Sequence, residues 1–246
     1  MAKLLAAALR YGFVSVVFVC GFALAQTGQD VEVMSDGQAY ASYLAAPEEG
    51  GPYPGIVLVH SFNGLEEGYR TMTNRFASEG YVVLAVGWQT FERGPDVGVV
   101  EQLMRDSIAF LRERDDVVAE QIGLTGFCAG GRYTMRFIPL VEDFAAGVAW
   151  YGFPYSGKPT PASLVDQIED PLLIIHGTAD NPSPIADIYE YAQALDEAGA
   201  YFELKVYQGE PHGFMLVDGQ LRTDPVADDA YMEMVDFFDR TLKGSL

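Results

Sequence analysis

Cys128 lies in the run Gly126-Phe127-Cys128-Ala129-Gly130-Gly131. A nucleophile with glycine two positions before and two after suits a sharp strand-to-helix turn, where larger side chains would collide. Such a turn exposes the thiol, and the following helix N-terminus favours thiolate. A thiol nucleophile needs a base, and the base needs an orienting group. The chain has three histidines. His60 and His176 each end an apolar run and read as structural. His212, in Glu210-Pro211-His212-Gly213-Phe214, follows the last strand-like segment and is the candidate base. Asp180, in Gly177-Thr178-Ala179-Asp180, follows the run ending at His176 and is the candidate acid. The constellation is that of a covalent acyl-transfer site.

These residues need a scaffold that brings loop ends together. Gly55 to Val59, Tyr81 to Ala85, Gln121 to Phe127, Phe144 to Trp150 and Pro171 to His176 are apolar runs of strand length. Continuous apolar runs mark strands buried on both faces. Ala39 to Leu44 reads as an edge strand, and Tyr201 to Tyr207 alternates as a strand. Helical periodicity covers Glu66 to Glu79, Val97 to Arg114, Pro184 to Ala198 and Ala227 to Leu242, and a helix should open at Cys128. Alternating strands and helices predict an α/β domain with a mostly parallel central sheet and helices on both faces. The order Cys128, Asp180, His212 is the nucleophile–acid–base order of the α/β-hydrolase fold.

The chain has 246 residues, 35 acidic and 15 basic, with a net charge of −20. That length suits a single domain. The acidic excess excludes a nucleic-acid binder, which needs clustered Lys and Arg, and argues against anionic membranes. Residues 1–25 read as a secretory signal peptide. Lys3 and Arg10 precede the apolar stretch Tyr11 to Leu24, and Ala23-Leu24-Ala25 ends it before Gln26. Arg10 leaves a run of about 15 residues, short of the roughly 20 that span a bilayer. The expected mature domain is 26–246, exported to the periplasm or beyond, with no membrane association and a monomeric state. Cleavage removes Cys20, so Cys128 would be the lone thiol. An exported lone thiol is either well buried or functional.

The elbow at Cys128, the Gly-Thr-Ala-Asp turn at Asp180 and Pro211-His212-Gly213-Phe214 together resemble the dienelactone hydrolase family. Tyr53-Pro54-Gly55 and Glu79-Gly80-Tyr81-Val82-Val83-Leu84-Ala85 strengthen the resemblance, which runs from about residue 53 to 242. It implies an α/β-hydrolase with a Cys128–His212–Asp180 triad acting on esters or lactones without metal or cofactor. The implied oxyanion hole is the backbone N–H of Ala129 with that of Phe62. The family's type enzyme has a glutamate near its thiol where Ser61 stands here, and an arginine after its histidine where Met215-Leu216-Val217 offers none. Arg93 matches the type enzyme's other substrate arginine. Arg132, four residues after Cys128, shares its helical face, and Tyr151 follows a strand at its carboxyl end. Ser61, Arg93, Arg132 and Tyr151 are the candidate substrate contacts, while Glu66 and Glu67 read as solvated acids of a helix start. The expected activity is carboxylic ester hydrolysis, with neutral esters or lactones preferred. The alternative is a hydrolase-fold protein that binds ligand without turnover.

Overall fold

The computed structural model describes residues 28–244; the expected signal peptide lies outside them. The elements run β1 (Gln29–Ser35), β2 (Gln38–Ala45), β3 (Tyr53–Val59), α1 (Glu67–Ser78), β4 (Val82–Val86), α2 (Val97–Arg112), β5 (Val117–Phe127) and α3 (Ala129–Phe137). They continue with β6 (Ala146–Trp150), a 3-10 helix (Pro161–Gln167), β7 (Leu172–Gly177), α4 (Ile185–Ala198), β8 (Phe202–Tyr207), β9 (Leu216–Val217), β10 (Gln220–Leu221) and α5 (Pro225–Phe238). A π-helical segment, Asp239–Lys243, follows α5 directly and carries the helical stretch past Leu242, as its apolar pattern implies.

The eight-stranded sheet has the order β1-β2-β4-β3-β5-β6-β7-β8. β1 pairs antiparallel with β2, and β2 with β4; every other pairing is parallel. The segment read as an edge strand is therefore second from the edge, because β1 lies outside it. β1 buries only Val33 and Ser35, and so lacks the apolar run that marks its neighbours.

The central strands separate two apolar layers. Val57, Val59, Val82 and Leu84 pack with α2, α3 and α4. Ile56, Leu58, Val83 and Ala85 face the opposite way, against α1 and α5. Ile56 to Val59 are fully buried, and each such side chain contributes about 1.5–3 kcal/mol. Helix ends follow local chemistry. Asp96 accepts the Gly98 N–H to start α2. Asp224 accepts those of Val226 and Ala227, with Pro225 opening α5. Gly199 ends α4 at φ 73°, the left-handed conformation that glycine adopts without strain.

Candidate active site

The sheet positions the turn at Cys128 first. β5 lies between β3 and β6, with Gly126 opposite Val59 and Ala149. At its carboxyl end Cys128 adopts φ 59°, ψ −111° and caps α3. This left-handed backbone costs about 1–3 kcal/mol in a non-glycine residue. Two backbone bonds hold it: Cys128 N–H donates to the Trp150 carbonyl, and Arg132 N–H donates to that of Cys128, each at 3.0 Å. The neighbouring glycines are steric necessities. A Cβ on Gly126 would stand 2.2 Å from the Gly130 carbonyl oxygen, and one on Gly130 would stand 2.1 Å from that of Val59. The glycine spacing in the sequence therefore reports close backbone packing on both sides of the elbow.

Asp180 comes from the loop after β7 and is 3% exposed. Its Oδ1 accepts the Ser183 N–H at 2.8 Å. Its Oδ2 lies 2.8 Å from His212 Nδ1. A carboxylate only accepts, so His212 carries its proton on Nδ1 and leaves Nε2 free. That Nε2 is buried and has no hydrogen-bond partner among the described residues. The ring packs edge-on to Tyr151, centroids 5.2 Å apart, and 5.3 Å from Phe153. Burial disfavours its charged form, but the Asp180 carboxylate and the adjacent Cys128 outweigh that and raise the imidazole to about 9. His212 thus favours the imidazolium at neutral pH.

The other histidines are structural, as expected. His60 is buried and stacks on Trp88, and its Nδ1 donates to the Ser61 carbonyl at 2.7 Å. Burial lowers it to about 4. His176 Nε2 donates to the Ser183 carbonyl at 2.8 Å and lies 3.5 Å from Asp180 Oδ2. His176 thereby buttresses the acid's loop. Sequence reasoning overlooked Arg222. It donates to Glu210 and to Asp224, with Nη2 at 3.2 and 3.1 Å. It ties the loop of His212 to the start of α5.

Cys128 and His212 open into a cavity of about 440 Å³, which Ser61, Phe62, Asn63, Glu66, Tyr69, Tyr151, Leu216 and Asp218 help to line. Burial pushes both phenols, Tyr69 and Tyr151, above their usual range, so they stay protonated. The N–H groups of Phe62 and Ala129 donate no hydrogen bond among the described residues. Both are available to an oxyanion. Ser61 is buried at the cavity wall and its Oγ accepts the Asn63 N–H at 3.1 Å. Arg132 borders a second cleft on Cys128, of about 310 Å³, with Phe62, Ala129, Phe153 and Ser156.

Two expectations are corrected. Arg93 does not line the Cys128 cavity; its guanidinium lies over the Phe62 ring at 4.8 Å and borders a separate depression. Glu66 is no solvated first-turn acid. It is half-buried and lines the catalytic cavity, whereas Glu67 is exposed. The wall facing Glu66 is the β9–β10 hairpin, also missed. Its Asp218-Gly219 turn, with φ 51° and 74°, is a strong two-residue hairpin signal.

Comparison with known proteins agrees with this architecture. A protein of Methylorubrum extorquens described as "Putative carboxymethylenebutenolidase" is 31% identical over 230 residues, covering 83% of this chain and 78% of that protein. Protein usf of Aquifex pyrophilus is 29% identical over 231 residues, covering 86% of this chain and 97% of its own. The fold also matches the structure titled "Putative Dienelactone Hydrolase" from Klebsiella pneumoniae, with TM-score 0.78, 24% identity, and 87% of this chain and 98% of that one covered. The profile described as "Dienelactone hydrolase family" matches residues 40–242. With that profile covering most of the chain, the chain belongs to the dienelactone hydrolase family and is a hydrolase.

Proposed function

We propose that this hydrolase cleaves carboxylic esters or lactones through Cys128, His212 and Asp180, with an acyl-thioester intermediate. The observation that carries the reading is the His212 ring: Nδ1 is fixed on Asp180 at 2.8 Å, while the buried Nε2 is free of protein partners in the Cys128 cavity. Cys128 attacks the carbonyl carbon as thiolate. The Phe62 and Ala129 N–H groups hold the oxyanion. The tetrahedral intermediate collapses, the C–O bond breaks, and His212 gives its Nε2 proton to the leaving oxygen. Neutral His212 then takes a proton from water, hydroxide adds to the thioester, and the carboxylic acid leaves as the thiol re-forms. Asp180 holds the ring orientation and stabilises the imidazolium.

Cys128, as the sole cysteine after a cleaved leader, fits an exported enzyme whose one thiol is catalytic. Mass spectrometry after brief exposure to small p-nitrophenyl esters is the test. The expected result is one acyl adduct on Cys128, and loss of hydrolysis in Cys128→Ala. An unmodified Cys128 in a protein that still turns over, together with full activity in Cys128→Ala, would end the reading.

A further inference from the structure

Two clefts of opposite charge meet at Cys128. The larger one holds Glu66 and Asp218, with the His212 imidazolium already facing Asp180, and contains no Lys or Arg among its lining residues. The smaller one holds Arg132 and no acid. Glu66 is the informative group. It stands at the N-cap position of α1, but its side chain makes no capping hydrogen bond. The arginine one helical turn on, Arg70, is the natural i,i+4 partner, yet it pairs with Asp30 at 2.5 Å and lies over the Tyr43 ring. Among the described residues the Glu66 carboxylate makes no ion pair. It packs under the hairpin, within 3.1 Å of where a Cβ of Gly219 would stand. Partial burial pushes the Glu66 carboxyl above its usual range, and a cation arriving in the cavity would favour its charged form. The cavity also presents the rings of Phe62, Tyr69 and Tyr151, and aromatic faces attract cations.

The catalytic geometry says which end of a substrate meets this wall. His212 delivers the proton to the leaving oxygen, so the leaving group lies on the side that His212 lines. That is the Glu66 side; His212 is not among the lining residues of the Arg132 cleft. Resting on the ester-hydrolase reading, we infer that Glu66 is a specificity-determining residue: the enzyme selects esters whose alcohol portion carries an ammonium group, and Arg132 disfavours the same charge on the acyl portion.

The test uses two esters of equal length and equal net charge. One carries trimethylammonium on the alcohol and the other carries it on the acyl chain; a neutral isostere completes the set. Equal net charge removes the general attraction of a −20 protein for cations, so only local charge separates the pair. The expected result is an advantage of about tenfold in kcat/KM for the alcohol-side cation, about 1.4 kcal/mol, seen mainly in KM. Glu66→Gln should bring that ratio close to one, and Glu66→Asp should keep part of it. Cys128 acylated by both esters at equal kcat/KM would overturn the inference while leaving the hydrolase reading intact. A ratio unchanged in Glu66→Gln would also overturn it. If no ester acylates Cys128, both fall.

Discussion

Replacing Asp180 by Asn isolates what the carboxylate does for His212. The change preserves shape: an amide oxygen can still accept the Ser183 N–H now bound by Oδ1 at 2.8 Å. The amide nitrogen then meets His212 Nδ1, so donor faces donor unless the ring changes tautomer. The imidazole also loses the carboxylate that helps raise it to about 9 against the opposing effect of burial. At pH 8 a ring with that value is about 90% protonated, whereas one at the unperturbed 6.5 is about 3% protonated. The fraction able to protonate a leaving alkoxide thus falls about 30-fold at pH 8 and by less than twofold at pH 6. The sign follows from the raised value: the competent imidazolium is full below 6.5 and is lost as pH rises through about 9 in the wild type. In the variant it is lost from about 6.5 or below. The wrong tautomer adds a further loss at every pH, so acylation should drop at least about 30-fold at pH 8. The measurement is single-turnover acylation of Cys128 by quenched-flow mass spectrometry from pH 5.5 to 10. Steady-state rates would mix in deacylation, where Cys128 no longer carries charge and neutral His212 is required. An alkaline limb that stays near 9 in Asp180→Asn, with a loss equal at pH 6 and pH 8, would refute the assignment of Asp180 as the group that raises His212.

Other outcomes follow from the same structure. Gly130→Ala places a Cβ 2.1 Å from the Val59 carbonyl oxygen, backbone against backbone; overpacking of about 1–3 kcal/mol should lower Tm by about 3–10 °C and abolish acylation, as calorimetry and the same mass assay would show. His60 is neutral in the fold at about 4, so the unfolded chain binds its proton first as pH falls. Stability should therefore drop by about 3 kcal/mol between pH 6.5 and 4 from this residue, and His60→Gln should flatten that slope in urea titrations. A chain at −20 repels itself, and screening shortens from about 8 Å at 0.15 M salt to about 3 Å at 1 M. Tm should hold or rise with sodium chloride, and a steady fall would show that the eleven Lys and Arg ion pairs of the described residues outweigh the repulsion.

What could be read without coordinates divides by the range of the physics. The elbow was legible because its demands are local. A side chain at Gly126 would collide with the Gly130 carbonyl one turn on, and that demand is written as a spacing of four. The central strands were legible because covering both faces makes the sequence apolar at every position, as in Ile56 to Val59. β1 was not, since it buries only two of its seven residues. Arg93 misled because a resemblance in sequence does not say where a loop guanidinium will settle; it lies over the Phe62 ring. Glu66 is the sharpest case. An acid before a helix is ordinarily solvated and favoured by the helix dipole, and nothing within its own turn says otherwise. What changes its character is a two-strand hairpin far along the chain. Asp218-Gly219 turns that hairpin back, and the Gly219 carbonyl accepts the Gly68 N–H at 2.8 Å. The hairpin roofs the carboxylate, and the partner that helix spacing supplies is already bound to Asp30. That Cys128, Asp180 and His212 come together was thus readable from motifs that constrain themselves. The wall that would choose the substrate was not, because its chemistry depends on which distant segment closes over it.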